Sequence, residues 1–189
     1  MATPSDIRIE FVLREADLDY FRKRLQDAQQ KLGETSEDEI VAGAESLAAS
    51  IEEGHVPSFL APRVAVLRKM IAMLQDADWR LEGEDRTHVL NALAYFANEN
   101  DIIPDNIPGI GLLDDAIMID LAERELSGEI AAYDEFCDNR EDLAQGVEDA
   151  QPLEEARADL QSRMRRQRRR ALRRRGGGSS SSYFLFGKV

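Results

Sequence analysis

The chain has 189 residues, of which 43% are hydrophobic, 6% aromatic and 32% charged. This length suits one domain with appended segments, and the apolar fraction is enough for one packed core. The single cysteine, Cys137, excludes an intrachain disulfide and fits a reducing compartment. The sequence shows neither an uninterrupted apolar run of about 18 residues nor an N-terminal signal pattern, so we expect a cytoplasmic protein without a membrane-spanning helix.

The net charge of −13 conceals a division of the chain into an acidic part and a basic part. All 37 acidic residues lie at or before Asp159, together with 14 of the 24 lysines and arginines, so residues 1–159 carry −23. Residues 160–189 contain the other ten cations and no acid. This asymmetry is typical of a tail that contacts an anionic partner.

The first predicted element is a short strand. Apolar residues occupy every second position over residues 7–13, which is the period of a half-buried strand. A single strand needs a partner. Three interpretations therefore stay open: pairing across a dimer, an extended arm, or the beginning of the first helix.

Helical periodicity follows, because apolar residues then recur at spacings of three and four. Five such stretches predict an all-α helical bundle of about five helices in an acidic domain over residues 1–143. Their apolar faces are Leu18, Phe21, Leu25, Ala28 and Leu32; Ile40, Ala44, Leu47 and Ile51; Val64, Leu67, Ile71 and Leu74; Val89, Leu93 and Phe96; and Met118, Ala122, Leu126, Ile130, Tyr133 and Cys137.

Local signals predict where these helices begin and end. Ser36 and Glu39 have the spacing of a capping box before the second helix. Pro62 suits the first turn of the third helix. A polar break at residues 82–85 precedes the predicted fourth helix over residues 86–98, and one long helix is predicted over residues 112–138.

The loop between the last two of these helices has a distinctive sequence. Residues 95–115 read Tyr-Phe-Ala-Asn-Glu-Asn-Asp-Ile-Ile-Pro-Asp-Asn-Ile-Pro-Gly-Ile-Gly-Leu-Leu-Asp-Asp. Pro104 and Pro108 restrict their own backbone and that of the residues before them. This predicts a rigid Pro/Gly loop that presses Ile103 and Ile107 into the bundle. Asp114 is placed to cap the helix that follows.

Over residues 86–123 the chain resembles the core of the YkvA-like family (domain of unknown function 1232), a small helical domain found widely in bacteria. The family pattern is an aromatic helix end, then Asp-Leu-Ile-Pro-Asp, Ile-Pro, Gly and an Asp-Asp pair that opens a helix. Glu99 and Asn100 stand where the family commonly has a Ser-Pro step. The resemblance implies a helical fold and no particular activity, since none is attached to the family.

Four aspartates lie in or beside this loop: Asp101, Asp105, Asp114 and Asp115. Such carboxylates can hold Mg²⁺ or Ca²⁺ or act as an acid–base pair. Each position also suits a turn or a helix cap, and neither EF-hand spacing nor a Gly-rich phosphate loop accompanies them. We therefore favour an architectural role and expect no cofactor, with a divalent-metal-dependent enzyme kept as an alternative.

Other candidate catalytic residues have little support. The two histidines, His55 and His88, are too few for a metal cluster, and we expect them in a turn and on the surface. Cys137 falls on an apolar helix face and is interpreted as a buried hydrophobe. No catalytic residue is predicted.

Residues 144–175 are predicted to form a basic helical extension with a narrow apolar stripe at Leu153, Ala156, Leu160 and Met164. Its nine arginines lie within thirteen positions and would face every side of a helix. Like charges repel at this spacing, so we expect the helix to fray until a polyanion neutralises it. The predicted polyanion-binding residues are Arg163, Arg165, Arg166, Arg168, Arg169, Arg170, Arg173, Arg174 and Arg175.

Residues 176–189 are predicted to be a flexible Gly/Ser linker followed by an apolar peptide. Tyr183, Phe184, Leu185 and Phe186 are the candidate contacts of this peptide, either with a groove of a partner or with the chain's own bundle.

Together these features predict a non-enzymatic binding or regulatory protein. Arginine suits phosphate pairing, so the predicted partner of the basic segment is RNA, the ribosome or DNA. The alternatives are docking on the acidic body of the same or another copy, contact with an anionic membrane, and an acidic protein partner. A homo-oligomer is also left open.

Overall fold

The computed structural model describes residues 12–30, 35–53, 59–97, 102–103, 107 and 110–176, without the side chains of residues 53 and 174–176. These residues contain seven α-helices, one 3₁₀ turn and no strand, so the all-α prediction is confirmed, with one helix more than the predicted bundle and basic helix together. The elements are α1 (Glu15–Gln30), α2 (Glu37–Glu53), α3 (Ala61–Gln75), α4 (Gly83–Leu93), the 3₁₀ turn (Ala94–Ala97), α5 (Leu113–Glu125), α6 (Ser127–Ala144) and α7 (Leu153–Gly176).

The first three helices follow the predicted apolar faces. The capping box before α2 is present: the backbone N–H of Ser36 donates to Glu39 Oε2 at 2.6 Å, and the Glu39 N–H donates to Ser36 Oγ at 3.2 Å. Pro62 lies in the first turn of α3. The predicted strand is not seen in the part that is described, since Val12 and Leu13 are in no strand, and residues 1–11 lie outside it.

The polar break predicted at residues 82–85 is wrong, because α4 already begins at Gly83. Gly83 adopts a φ of +54°, which favours glycine, and Asp85 falls in the first turn. The predicted inward residues of this helix, Val89, Leu93 and Phe96, are buried. Polar residues in the first turn had masked the start of the helix, although acidic groups are favourable there.

A close approach joins α2 to the 3₁₀ turn. A Cβ placed on Gly43 would lie 2.2 Å from the carbonyl oxygen of Phe96, which no side chain tolerates. The glycine therefore permits direct packing of one backbone on another.

The long helix predicted over residues 112–138 is two helices, α5 and α6. They meet at Leu126, whose φ of −92° and ψ of 13° depart from helical values. Ser127 and Gly128 follow at once, and such pairs are common where helices kink. The kink sets the direction in which the first turn of α6, including the buried Glu129, meets α4 and α7.

The expectation that the basic segment frays is wrong, because α7 is a helix of 24 residues. Glu135 of α6 pairs with Arg163 of α7, and Glu129, earlier in α6, pairs with Arg168, later in α7, so the two helices run antiparallel. Ala156, Leu160 and Met164 are buried in the core. Burial of this stripe and pairing of several arginines stabilise a helix that like-charge repulsion would otherwise destabilise.

None of the described helices is long and apolar enough to cross a membrane. The apolar peptide Tyr183–Val189 and His55 lie outside the described residues, as do Asp101 and Asp105.

Candidate functional site

The arginines of α7 between residues 163 and 173 fall into two sets that differ in their partners. One set points toward the body and consists of Arg163, Arg165 and Arg168, each of which forms an ion pair with a carboxylate of another helix. The other set points outward and consists of Arg166, Arg169, Arg170 and Arg173. At about 100° per residue, the centres of the two sets fall on different sides of the helix.

Two of the inward arginines, Arg165 and Arg168, end on buried carboxylates, whereas Arg163 pairs with the exposed Glu135. Asp85, at 3% exposure, receives hydrogen bonds from Arg165 Nε and from Arg168. Arg168 also donates to Oε1 of Glu129, which is 3% exposed, at 3.3 Å. A buried carboxylate is tolerated only when it is paired and hydrogen-bonded. The contacts therefore hold α7 on α4 and α6.

His88 belongs to the same cluster, so the prediction that it lies on the surface is wrong. The ring is 7% exposed, with Nδ1 3.1 Å from Glu129 Oε1 and Nε2 3.6 Å from Glu125 Oε1. Two spacings in the sequence carry a signal for this cluster. Asp85 and His88 are three residues apart and share a face of α4, and Glu125 and Glu129 are four residues apart across the kink between α5 and α6.

The buried cluster consists of Asp85, His88, Glu125, Glu129, Arg168 and the inner end of Arg165, whose side chain is otherwise 44% exposed. Two guanidinium groups and an imidazole face three carboxylates there. Within the described residues no group of three or more His, Cys, Asp or Glu side chains could hold a metal ion. The hydrogen bonds of the cluster join α4, α6 and α7.

A cleft of about 420 Å³ opens beside the buried cluster. Its walls come from α1, α4, α5, the first turn of α6 and the inner face of α7. Apolar and charged residues alternate around it: Arg22, Leu25, His88, Leu121, Arg124, Glu125, Ser127, Gly128, Glu129, Met164, Gln167, Arg168, Ala171 and Leu172.

The outward arginines form a continuous stripe. Arg166, Arg169, Arg170 and Arg173 are exposed and together line a shallow groove of about 170 Å³. Among the described residues none of the four has an ion-pair partner, and Arg166 donates only to Ser162 Oγ, at 2.7 Å. We call these four residues the outer stripe. The side chains of Arg174 and Arg175 are not described.

Asp114 has a role different from the predicted helix cap. It is fully buried, and its Oδ2 accepts hydrogen bonds from the backbone N–H of Ile102 at 2.7 Å, from that of Ile103 at 3.0 Å and from the Tyr95 hydroxyl at 3.3 Å. The position before α5 is Leu112, with a φ of +65°, and no side chain caps the helix. Asp114 thus ties the preceding loop to α5.

The remaining loop predictions are corrected or stay untested. Ile107 is 37% exposed, so it is not pressed into the bundle, and Ile103 is half-buried. Asp115 is buried in the first turn of α5, as expected. Because Asp101 and Asp105 lie outside the described residues, the metal site that would combine all four aspartates stays a prediction.

A second polar group surrounds Cys137, which is half-buried. Burial raises the pKa of its thiol, which disfavours the reactive thiolate. Nearby, Asp76 Oδ2 accepts hydrogen bonds from the Tyr133 hydroxyl at 2.9 Å and from Arg140 at 2.8 Å. Burial and the bond to Asp76 raise the pKa of Tyr133. These residues join α3 to α6.

One segment of the chain matches a known protein family. Residues 86–121 match the family described as "Protein of unknown function (DUF1232)". The match confirms the resemblance inferred from the loop. The DUF1232 segment, residues 86–121, comprises most of α4, the 3₁₀ turn, the loop tied by Asp114 and much of α5. No curated protein and no solved structure matches the chain.

The DUF1232 description assigns no activity, and the match ends before α6 and α7. The outer stripe, the cleft-facing side of α7 and Glu129 therefore lie outside the DUF1232 segment. Any function of these parts therefore depends on their own geometry.

Proposed function

We propose that this protein is a non-enzymatic, cytoplasmic nucleic-acid-binding protein that contacts phosphates through the outer stripe. The observation that carries the proposal is the set of four exposed arginines on one side of α7 without a carboxylate partner among the described residues. The body neutralises the inward arginines, whereas the outer stripe keeps its charge for an external anion.

The chemistry of the outer stripe suits a phosphate backbone. The planar guanidinium donates paired hydrogen bonds to phosphate oxygens. From Arg166 to Arg173 the helix rises about 10 Å, and a duplex presents one phosphate charge per about 1.7 Å of its axis. Several phosphates therefore face the stripe at once. Contacts of this kind carry little sequence information, so the proposed binding has low sequence specificity.

The acidic body limits how nucleic acid can approach. Residues 1–159 carry −23, which repels a polyanion everywhere except near α7. The stripe also suits nucleic acid better than a membrane, because the apolar residues Ala156, Leu160 and Met164 of α7 are already buried and do not border it.

The test compares the full chain with a variant in which Arg166, Arg169, Arg170 and Arg173 are all changed to Gln. Single- and double-stranded RNA and DNA are titrated by fluorescence anisotropy at about 50 mM salt. We expect the variant to lose affinity by at least tenfold for each bound nucleic acid. Truncation before α7 is a poor substitute, since it would remove the buried residues Ala156, Leu160 and Met164 from the core as well as the arginines.

The matched control removes the same charge from four exposed positions elsewhere, with Arg14, Lys23, Arg80 and Arg124 changed to Gln. It should bind nearly as the unchanged protein does. Equal losses of affinity in the two variants would show that net charge alone explains the binding, which would contradict the proposal. Absence of nucleic-acid binding by the unchanged chain would refute it. Flotation with vesicles rich in phosphatidylserine tests the lipid alternative: a stripe-dependent interaction there without one for nucleic acid would also overturn it.

A further inference from the structure

The cleft beside the buried cluster is bounded on one side by the inner face of α7. Met164, Arg168, Ala171 and Leu172 lie at helical spacings on that face and line the cleft. Leu172 is 42% exposed although it lies close to the buried residues Leu25 and Leu121 around the same space. An apolar side chain is thus left partly uncovered beside a cleft whose walls include Leu25, Leu121 and Met164.

The chain beyond α7 begins close to this cleft. Gly176 ends α7 only four residues after Leu172, a rise of about 6 Å. Residues 176–182 are three glycines and four serines. A linker of that composition and length has an end-to-end distance of about 15 Å. Tyr183 is therefore tethered within reach of the cleft, at an effective concentration on the order of millimolar.

The residues after this tether have chemistry that matches the cleft. Tyr183, Phe184, Leu185 and Phe186 are consecutive large apolar side chains, and the tyrosine adds one hydroxyl. Volumes of about 300–1,000 Å³ with apolar walls and a few polar groups are typical of sites that enclose such groups, and the cleft of about 420 Å³ falls in this range.

From this combination we infer that the apolar peptide, residues 183–189, binds in the cleft of its own chain. The bound peptide covers Leu172 and packs between α1, α5 and α7. It lies on the side of α7 opposite the outer stripe, so the inference is independent of nucleic-acid binding.

Disulfide trapping tests this placement in the full chain. Cys137 is first changed to Ala, and Leu185→Cys is then combined with Ser127→Cys at the cleft. The matched control combines Leu185→Cys with Ser50→Cys, because Ser50 is also an exposed helical serine but α2 contributes nothing to the cleft. Intrachain disulfide is measured by mass spectrometry in oxidised glutathione at several protein concentrations.

We expect the Ser127 pair to form the intrachain disulfide at least tenfold faster than the Ser50 pair, at a rate independent of protein concentration. Equal rates for the two pairs would overturn the inference. Formation of interchain disulfide that grows with concentration would overturn it as well, and would point to a second copy as the source of the peptide.

A second pair of variants distinguishes binding in the cleft from nonspecific hydrophobic contact of the peptide with the protein surface. Leu172→Asp should slow trapping of the Ser127 pair to the rate of the Ser50 pair. Leu143→Asp is the control, since Leu143 is 41% exposed, close to the 42% of Leu172, but does not line the cleft. If both substitutions slow trapping equally, or neither does, the cleft is not the binding site.

Discussion

Arg168 donates a hydrogen bond to Asp85 Oδ1 at 2.5 Å, although the two residues are 83 positions apart in the sequence. The bond joins the basic helix α7 to the first turn of α4, immediately before the DUF1232 segment. Arg165 reaches the other oxygen of the same carboxylate. One buried acid thus pairs with two of the three inward arginines of α7.

Asp85→Asn is expected to destabilise the protein by about 3 kcal/mol, because it leaves two arginines facing a buried neutral group. Urea unfolding at pH 7 measures the loss. Asp159→Asn is the control, since Asp159 is an exposed carboxylate of α7, and its change should stay within about 0.5 kcal/mol. Similar losses for the two variants would mean that the buried pairing does not stabilise α7.

Asp114→Asn is expected to loosen the loop of the DUF1232 segment. The substitution removes the charge that strengthens hydrogen bonds from Ile102 and Ile103, at a cost of about 2 kcal/mol. Hydrogen exchange of these two amides should accelerate at least tenfold. Glu123→Gln, on the exposed side of α5, should leave both rates unchanged. Unaltered exchange in Asp114→Asn would contradict the tie between the loop and α5.

Gly43→Ala is expected to cost about 2–3 kcal/mol, because its Cβ would overlap the Phe96 carbonyl and force α2 away from the 3₁₀ turn. Thermal or urea unfolding gives the measurement. Gly128→Ala is the matched change, since its nearest neighbour, Gln167 Oε1, would be 3.5 Å from the new Cβ. That variant should be neutral or more stable by about 0.5–1 kcal/mol through helix propensity. If Gly128→Ala were less stable than Gly43→Ala, the close approach of α2 to the Phe96 carbonyl would be refuted.

Asp76 is expected to make stability depend on acid pH. Burial raises its pKa, but hydrogen bonds from the Trp79 amide, Arg140, Tyr133 and the Asp78 amide outweigh burial and hold the pKa below its ordinary value. A carboxyl with a lowered folded-state pKa stabilises the fold above its unfolded pKa of about 3.9 and loses that contribution as pH falls.

The measurement is the free energy of unfolding from pH 7 down to pH 2.5. Asp76→Asn should be less stable than the unchanged protein at pH 7, and the gap between them should narrow below about pH 4. Asp78→Asn, an exposed neighbour whose side chain lies 3.5 Å from Arg140, should show a much smaller change. A gap that stays constant with pH would contradict the ionised role of Asp76.

The salt dependence of the proposed nucleic-acid binding reports the number of arginine–phosphate contacts. Four arginine–phosphate contacts predict that log Kd rises with log salt concentration with a slope of about 3.6 on duplex DNA. Replacing the outer stripe with Gln should lower this slope toward zero, whereas replacing it with Lys should retain most of it. A slope that is unchanged by the Gln variant would place the contacts elsewhere.

Much of the fold follows from the sequence because helix formation is encoded in nearby residues. The stripe from Ile40 to Ile51 marks α2, the Ser36–Glu39 box marks its beginning, and Pro62 marks the start of α3. The Pro/Gly loop and its aspartates likewise sufficed to indicate the DUF1232 segment. Apolar spacing failed to predict the break at Leu126. The apolar face continues through this residue, whereas Ser127 and Gly128 favour a kink.

The sequence by itself determined an all-α protein with a DUF1232 segment, an acidic body and an arginine-rich helix. Only the tertiary structure decided which arginines face inward, that Asp114 holds the loop before it, and that His88 is buried between glutamates. The physical reason is the distance along the chain over which each kind of interaction acts. Periodicity and capping act within about four residues, whereas the partners of Asp85 and Glu129 lie 83 and 39 positions away and are chosen by the packing of one helix on another.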